Sequence, residues 1–136
     1  MATIQDIVTG AFHKLGVIHG TETPTAADSA YALSELNDMM TEFEGKQVYL
    51  NWQTVTLAST FPLEAKHEGG VKAMLAMRVS PPHGGDSLLS AVLVQQAQGG
   101  YSRLWGDYHR PDLLSVDDGL ANMPGLWRYG VDNVNV

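Results

Sequence analysis

A chain of 136 residues with net charge −7, 44 % hydrophobic residues and no cysteine has room for one domain, or one domain with an appendage. Disulfides, thiolate metal sites and a cysteine nucleophile are excluded. Eight lysines and arginines against fifteen acids argue against a tight grip on phosphates, which needs clustered cations. Residues 1–16 are amphipathic, carry Asp6 near the start and lack the apolar run of a signal peptide. No apolar stretch approaches the ~20 residues of a membrane span. Synthesis in a cytosol is expected, with no membrane partner and no export by the usual route.

In chain order, residues 3–16 predict a first helix. Thr3 and Asp6 have capping-box spacing. Ile4, Ile7, Val8, Ala11, Phe12 and Leu15 recur at helical spacing, and Gly16 ends the run. A loop from Val17 to Pro24 leads into the longest predicted helix, residues 25–45. Thr25 and Asp28 repeat the capping-box spacing, and Gly45 is placed to take the left-handed conformation after the last turn. Leu33, Leu36, Met40 and Phe43 fall on one stripe. Asp28, Glu35, Asp38 and Glu42 fall on roughly the opposite side. This segment holds five acids and no lysine or arginine, so one face is apolar and the other strongly negative. The two helices read as a hairpin whose apolar stripes must meet or be covered.

The period then changes. Val48, Leu50 and Trp52 alternate with polar neighbours, and Val55 and Leu57 continue after a shift of one. That pattern predicts a short strand or hairpin, or an extended arm, closed by Phe61-Pro62-Leu63. From Glu64 to Val79 the helical period returns, with Val71, Met74, Leu75 and Arg78 in register. Gly69 and Gly70 interrupt it, each costing about 0.5–1 kcal/mol relative to alanine. Either another backbone approaches closely there, or the helix begins near Gly70. Ser80-Pro81-Pro82 stops it, and His83-Gly84-Gly85 is a loop. Asp86 is the expected cap of a fourth helix, running to about Gly99 or Trp105 with Leu89, Val92, Leu93 and Gln96 on one face.

After Asp107 the periodicity dissolves. Residues 107–136 read as an extended tail, too rich in apolar anchors for a free disordered linker. They are expected to fold on the chain's own domain or on a partner. The predicted architecture is mainly α: a small bundle of about four helices, a short extended or β-like insertion and an extended C-terminal tail. Residues 1–106 form the helical domain and 107–136 the docking tail. The candidate partner-binding residues are Tyr108, Leu113, Leu114, Leu120, Met123, Leu126, Trp127 and Tyr129.

Few residues suggest chemistry. Glu35 and Glu42 are separated by about 10.5 Å of helical rise. Glycoside hydrolysis needs carboxyls about 5–9.5 Å apart across a cleft, so a solvated acidic face is the better reading. His13, His19, His67, His83 and His109 form no HxH or HxxxH pair, which leaves no local metal site. A nucleophile elbow, a P-loop and a GxGxxG turn are absent. Asp117-Asp118-Gly119 has only a fragment of a calcium loop and reads as a turn. Trp127-Arg128-Tyr129 can stack on bases or sugars, but it lies among five Asp and three Arg in residues 101–136, and a protein groove suits it better. No enzyme activity, catalytic residue, metal or cofactor is expected.

One set of motifs is distinctive in its order and spacing. Ile4-Gln5-Asp6-Ile7-Val8, Lys14-Leu15-Gly16-Val17-Ile18, Glu22-Thr23-Pro24-Thr25-Ala26-Ala27-Asp28, Ala32-Leu33 and Leu36-Asn37-Asp38-Met39-Met40 follow one another. With Phe61-Pro62-Leu63 and Arg78-Val79-Ser80-Pro81, they resemble the head–tail adaptor proteins of tailed phages. These are best known from short-tailed phages as tail accessory or packaged-DNA stabilisation proteins. The resemblance covers residues 2–82 and departs from better-known members at Gly69-Gly70 and Gly99-Gly100. It implies a mostly helical virion subunit, assembled in the host cytoplasm, that forms a dodecameric ring beneath the portal. Such a ring extends the DNA channel, helps to retain packaged DNA and offers a surface to the next tail or nozzle protein. The tail then reaches the portal or a neighbouring subunit. The acidic side of the long helix (Asp28, Glu35, Asp38, Glu42) suits a channel wall past which DNA slides without specific binding. The competing expectations are a virion peptidoglycan hydrolase using Glu35 or Glu42 as its acid, and a DNA-end-binding protein.

Overall fold

The structure, a computed structural model, describes residues 1–110. Among them it is mainly helical: α1 (Ile4–Leu15), α2 (Ala26–Gly45), α3 (Glu68–Val79) and α4 (Ala91–Tyr108), with short 3-10 turns at Ala65–His67, Pro81–His83 and Gly85–Leu88.

α1 follows its sequence closely. The Thr3 box is complete: its hydroxyl accepts from the Asp6 N–H at 3.2 Å, and the Asp6 carboxylate accepts from the Thr3 N–H at 2.9 Å. Gly16 ends the helix in the left-handed region. All six predicted apolar residues are buried. In α2, Leu36, Met40 and Phe43 are buried, joined by Ser29, Ala32 and Met39, and Leu33 packs at the edge. Two details of α2 differ. Thr25 caps the Asp28 N–H at 3.1 Å, but the Asp28 carboxylate faces His83 rather than reaching back. Gly45 stays inside the last turn, and Gln47, with φ 63°, is the left-handed residue that turns the chain.

The apolar faces of α1 and α2 meet chiefly on α3, which packs against all three other helices. Its glycines explain how. A Cβ built on Gly70 would lie 2.5 Å from the Gly100 Cα, and one on Gly100 would lie 2.4 Å from the Gly70 Cα. Backbone therefore touches backbone where α3 crosses α4. The α-helix begins at Glu68, two residues before Gly70, and the 3-10 turn at Ala65–His67 leads into it.

α4 starts five residues beyond the expected cap. Ser90, not Asp86, caps it, accepting from the Leu93 N–H at 3.1 Å. It then runs through Gly99 and Gly100 to Tyr108, two residues past the expected boundary of the helical domain. Its buried stripe is Leu93, Ala97, Gly100 and Leu104, so Val92 is 62 % exposed and Gln96 faces outward. The register follows Gly100, which must face α3.

Residues 46–63 adopt the extended-arm alternative, and no strand forms among the described residues. The arm instead satisfies helix ends. Ile4 and Gln5 N–H donate to the Ser59 and Leu57 carbonyls at 2.8 and 3.0 Å, providing for two donors that a first helical turn leaves over. Asn37 of α2 pins its middle: Oδ1 accepts from Trp52 Nε1 at 3.0 Å and from the Val55 N–H at 3.2 Å. At its start, the Tyr49 N–H donates to the Tyr108 carbonyl and the Arg110 N–H to the Gln47 carbonyl. Val48, Leu50, Phe61 and Leu63 are buried in the common core.

The adjacent glycines of α4 should behave oppositely. Gly100→Ala forces α3 and α4 apart and should cost about 1–3 kcal/mol. Gly99→Ala, with open space around its Cβ position, should gain about 0.5–1 kcal/mol. Urea unfolding of the two variants checks the contrast.

Candidate functional site

The acidic face of α2 is not left open. Arg78 reaches across from α3 with Nε 3.2 Å from Glu35 Oε2 and Nη1 2.7 Å from Glu42 Oε2. Its Nη2 donates to Glu42 Oε1 at 3.2 Å, so the Glu42 pair is a two-pronged fork. The helical spacing that put Arg78 in register with Val71 and Leu75 marked it as part of the packed side of α3. It instead serves the rim, with its stem half-buried. Hydrogen bonding from Arg78 lowers the pKa of Glu42. The Glu42 fork, opposed by burial and aided by Glu35, raises that of Arg78. A glycosidase acid needs the opposite shift, towards a proton held near neutrality. Asp28 Oδ1 lies 3.5 Å from His83 Nε2, and His83 packs edge-on against Phe12 with ring centroids 5.3 Å apart. Asp38 is exposed. Of the four acids, three thus face a basic side chain of the same chain.

Leu113, Leu114, Leu120, Met123, Leu126, Trp127 and Tyr129 lie outside the described residues. Tyr108 does not stand in a free arm. It ends α4, half-buried against the domain's own core, with its ring centroid 5.5 Å from that of His67.

Around Tyr108 is a cluster that sequence spacing did not reveal, because its members come from distant segments. Lys66 Nζ lies 2.9 Å from Asp107 Oδ2 and 3.3 Å from Glu64 Oε2. The bond to Asp107, then that to Glu64, raises the Lys66 pKa, and Lys66 lowers that of Asp107. Burial is the chief reason that Tyr108 holds its proton more tightly. His67 is 2 % exposed. Its Nε2 lies 2.9 Å from Asp107 Oδ2.

A surface groove of about 440 Å³ runs between α1, the start of α3 and α4, lined by Lys14, Gly69, Gly70, Val92, Gln95, Gln96, Gly99 and Arg103. Lys14 Nζ donates to Gln96 Oε1 at 2.8 Å. Among the described residues there is no group of three or more metal-ligating side chains. No helix among them is long and apolar enough to cross a membrane.

No family model, curated protein or solved structure matches the chain. The reading of the site therefore rests on the residues and their geometry.

Arg78 should control part of the acid response. Because the Glu42 pKa is depressed on folding, its contribution is present above the ordinary value of 4.5 and is lost as pH falls through the depressed one. Glu42 is exposed, so the contribution is modest. Arg78→Gln should flatten the fall in stability between about pH 5 and pH 3, read from urea midpoints across that range.

Proposed function

We propose that this chain is a structural virion protein, a head-to-tail adaptor. Its copies form a ring beneath the portal, extend the DNA channel, help to retain packaged DNA and offer a surface to the next tail or nozzle protein. The observation that carries the reading is the ordered set of motifs across residues 2–82, several of which have a structural job. The Thr3–Asp6 box starts α1, Gly16 ends it, Asn37 pins the arm, Phe61 and Leu63 anchor it, and Arg78 bridges α3 to α2. The assembly would form in the host cytoplasm and reside in the neck of the particle.

The α2 face of Asp28, Glu35, Asp38 and Glu42 remains net negative after Arg78 is counted: four carboxylates against one guanidinium. A wall of that sign repels phosphates and lets DNA pass without being held. The partner-binding role belongs to Leu113, Leu114, Leu120, Met123, Leu126, Trp127 and Tyr129, of which Trp127 and Tyr129 are the residue types that anchor interfaces. Tyr108, the eighth of the set, ends α4 half-buried against the core.

Mixing the full chain with its cognate portal ring should give a stoichiometric complex by light scattering. Truncation after Arg110 should abolish that complex and leave the helical circular dichroism intact, since residues 1–110 contain the four helices and their core. Absence of a complex with the complete chain overturns the proposal.

A further inference from the structure

Gly69 and Gly99 lack the excuse that Gly70 and Gly100 have. A Cβ on either would meet nothing within 4 Å among the described residues. A glycine inside a helix costs about 0.5–1 kcal/mol relative to alanine, and no neighbour within the described residues requires it at these two positions. Both line the same groove. Their bare backbone leaves room there that the described residues do not fill.

The rest of the groove has a definite chemistry. Val92, Gln95, Gln96, Gly99 and Arg103 follow one another at helical spacing, so they form a single stripe of α4. From Val92 to Arg103 the stripe is about 16 Å long, the reach of about five residues of extended chain. Residues 87–102 contain no charged side chain, unusual for a surface helix in a protein with fifteen acids. The two cations of the groove are Lys14 and Arg103. Lys14 bonds a neutral amide oxygen rather than a carboxylate, and Arg103 makes no ion pair among the described residues. Lys46, Lys72 and Arg110 likewise make no ion pair among the described residues, whereas Arg78 and Lys66 are each held by two acids.

We propose that this groove binds an extended, acidic segment of another polypeptide. The glycines admit its backbone closely. Gln95 carries both a donor and an acceptor, as does each peptide unit, so its amide can pair with main chain. Lys14 and Arg103 take carboxylates. A phosphate would use only the donors and leave the bare glycine surface and Val92 uncovered. The occupant is selected by local pairing, because the field of a chain of net charge −7 repels anions at longer range. This inference is independent of the adaptor reading.

The test uses the full chain and a blocked pentapeptide with glutamate at both ends and valine between. Backbone and side-chain amide resonances are followed by NMR during titration. Saturable shifts confined to Gly69, Gly99, Gln95 and Gln96 are expected. Replacing the peptide's glutamates by glutamine, or introducing Lys14→Gln with Arg103→Gln, should each weaken binding about tenfold. Gly99→Leu should fill the groove and abolish the shifts. The charge variants lie at the surface and keep the test open if Gly99→Leu does not fold. Shifts that survive the double charge variant, or no localised shift at all, overturn the proposal. So does inorganic phosphate or free glutarate matching the peptide. Binding seen only after truncation at Arg110 would assign the groove to the chain's own tail and equally overturn it.

Discussion

The contact between Gly70 and Gly100 sets the geometry of the described domain. Two helices with ordinary side chains at their crossing keep their axes about 8–10 Å apart. Here the Cα of each glycine occupies the place where the other's Cβ would stand. The close crossing fixes the rotation of α4 about its axis: once Gly100 faces α3, Leu93, Ala97 and Leu104 must follow it inward. It also makes α3 the element that all other helices touch, and so gives α1 and α2 a common surface to cover. The two glycines weaken their helices individually and strengthen the pair through the contact their absent side chains allow.

A bundle of four short helices leaves many terminal N–H and C=O groups to be satisfied. The arm from 46 to 63 carries much of that burden. It supplies carbonyls to the start of α1, a donor to the end of α4 and, through Asn37, a fixed course along α2. Its alternating apolar residues bury on one side as they would in a strand, with Val48, Leu50, Phe61 and Leu63 inward. The partners of its backbone are helix ends and side chains such as Asn37, not a neighbouring strand, which is why it has a strand's pattern without a sheet.

Charge is distributed with the same economy. The chain is strongly acidic, yet Arg78 and Lys66 each gather two carboxylates, and Asp28 faces His83. The α2 face is therefore a mixed rim with a negative balance rather than a bare acidic wall. The groove across α1, α3 and α4 carries two cations, Lys14 and Arg103, that make no ion pair among the described residues.

Local signals were legible from the residues alone. The Thr3 box, the Gly16 stop, the buried side of α1 and most of the α2 stripe depend on neighbours three or four positions away, and such spacings are written directly in the chain. The mainly helical class followed from them. What lay beyond them was decided between segments far apart in sequence. Gly70 is explained only by Gly100, the acids of α2 only by Arg78, the arm only by Asn37 and the helix ends it serves. The start and register of α4 were misplaced because periodicity favoured Val92 and Leu89, whereas the crossing with α3 demanded that Gly100 turn inward. An apolar or charged side chain announces a preference for burial or for water, but its partner is chosen only when the backbones meet.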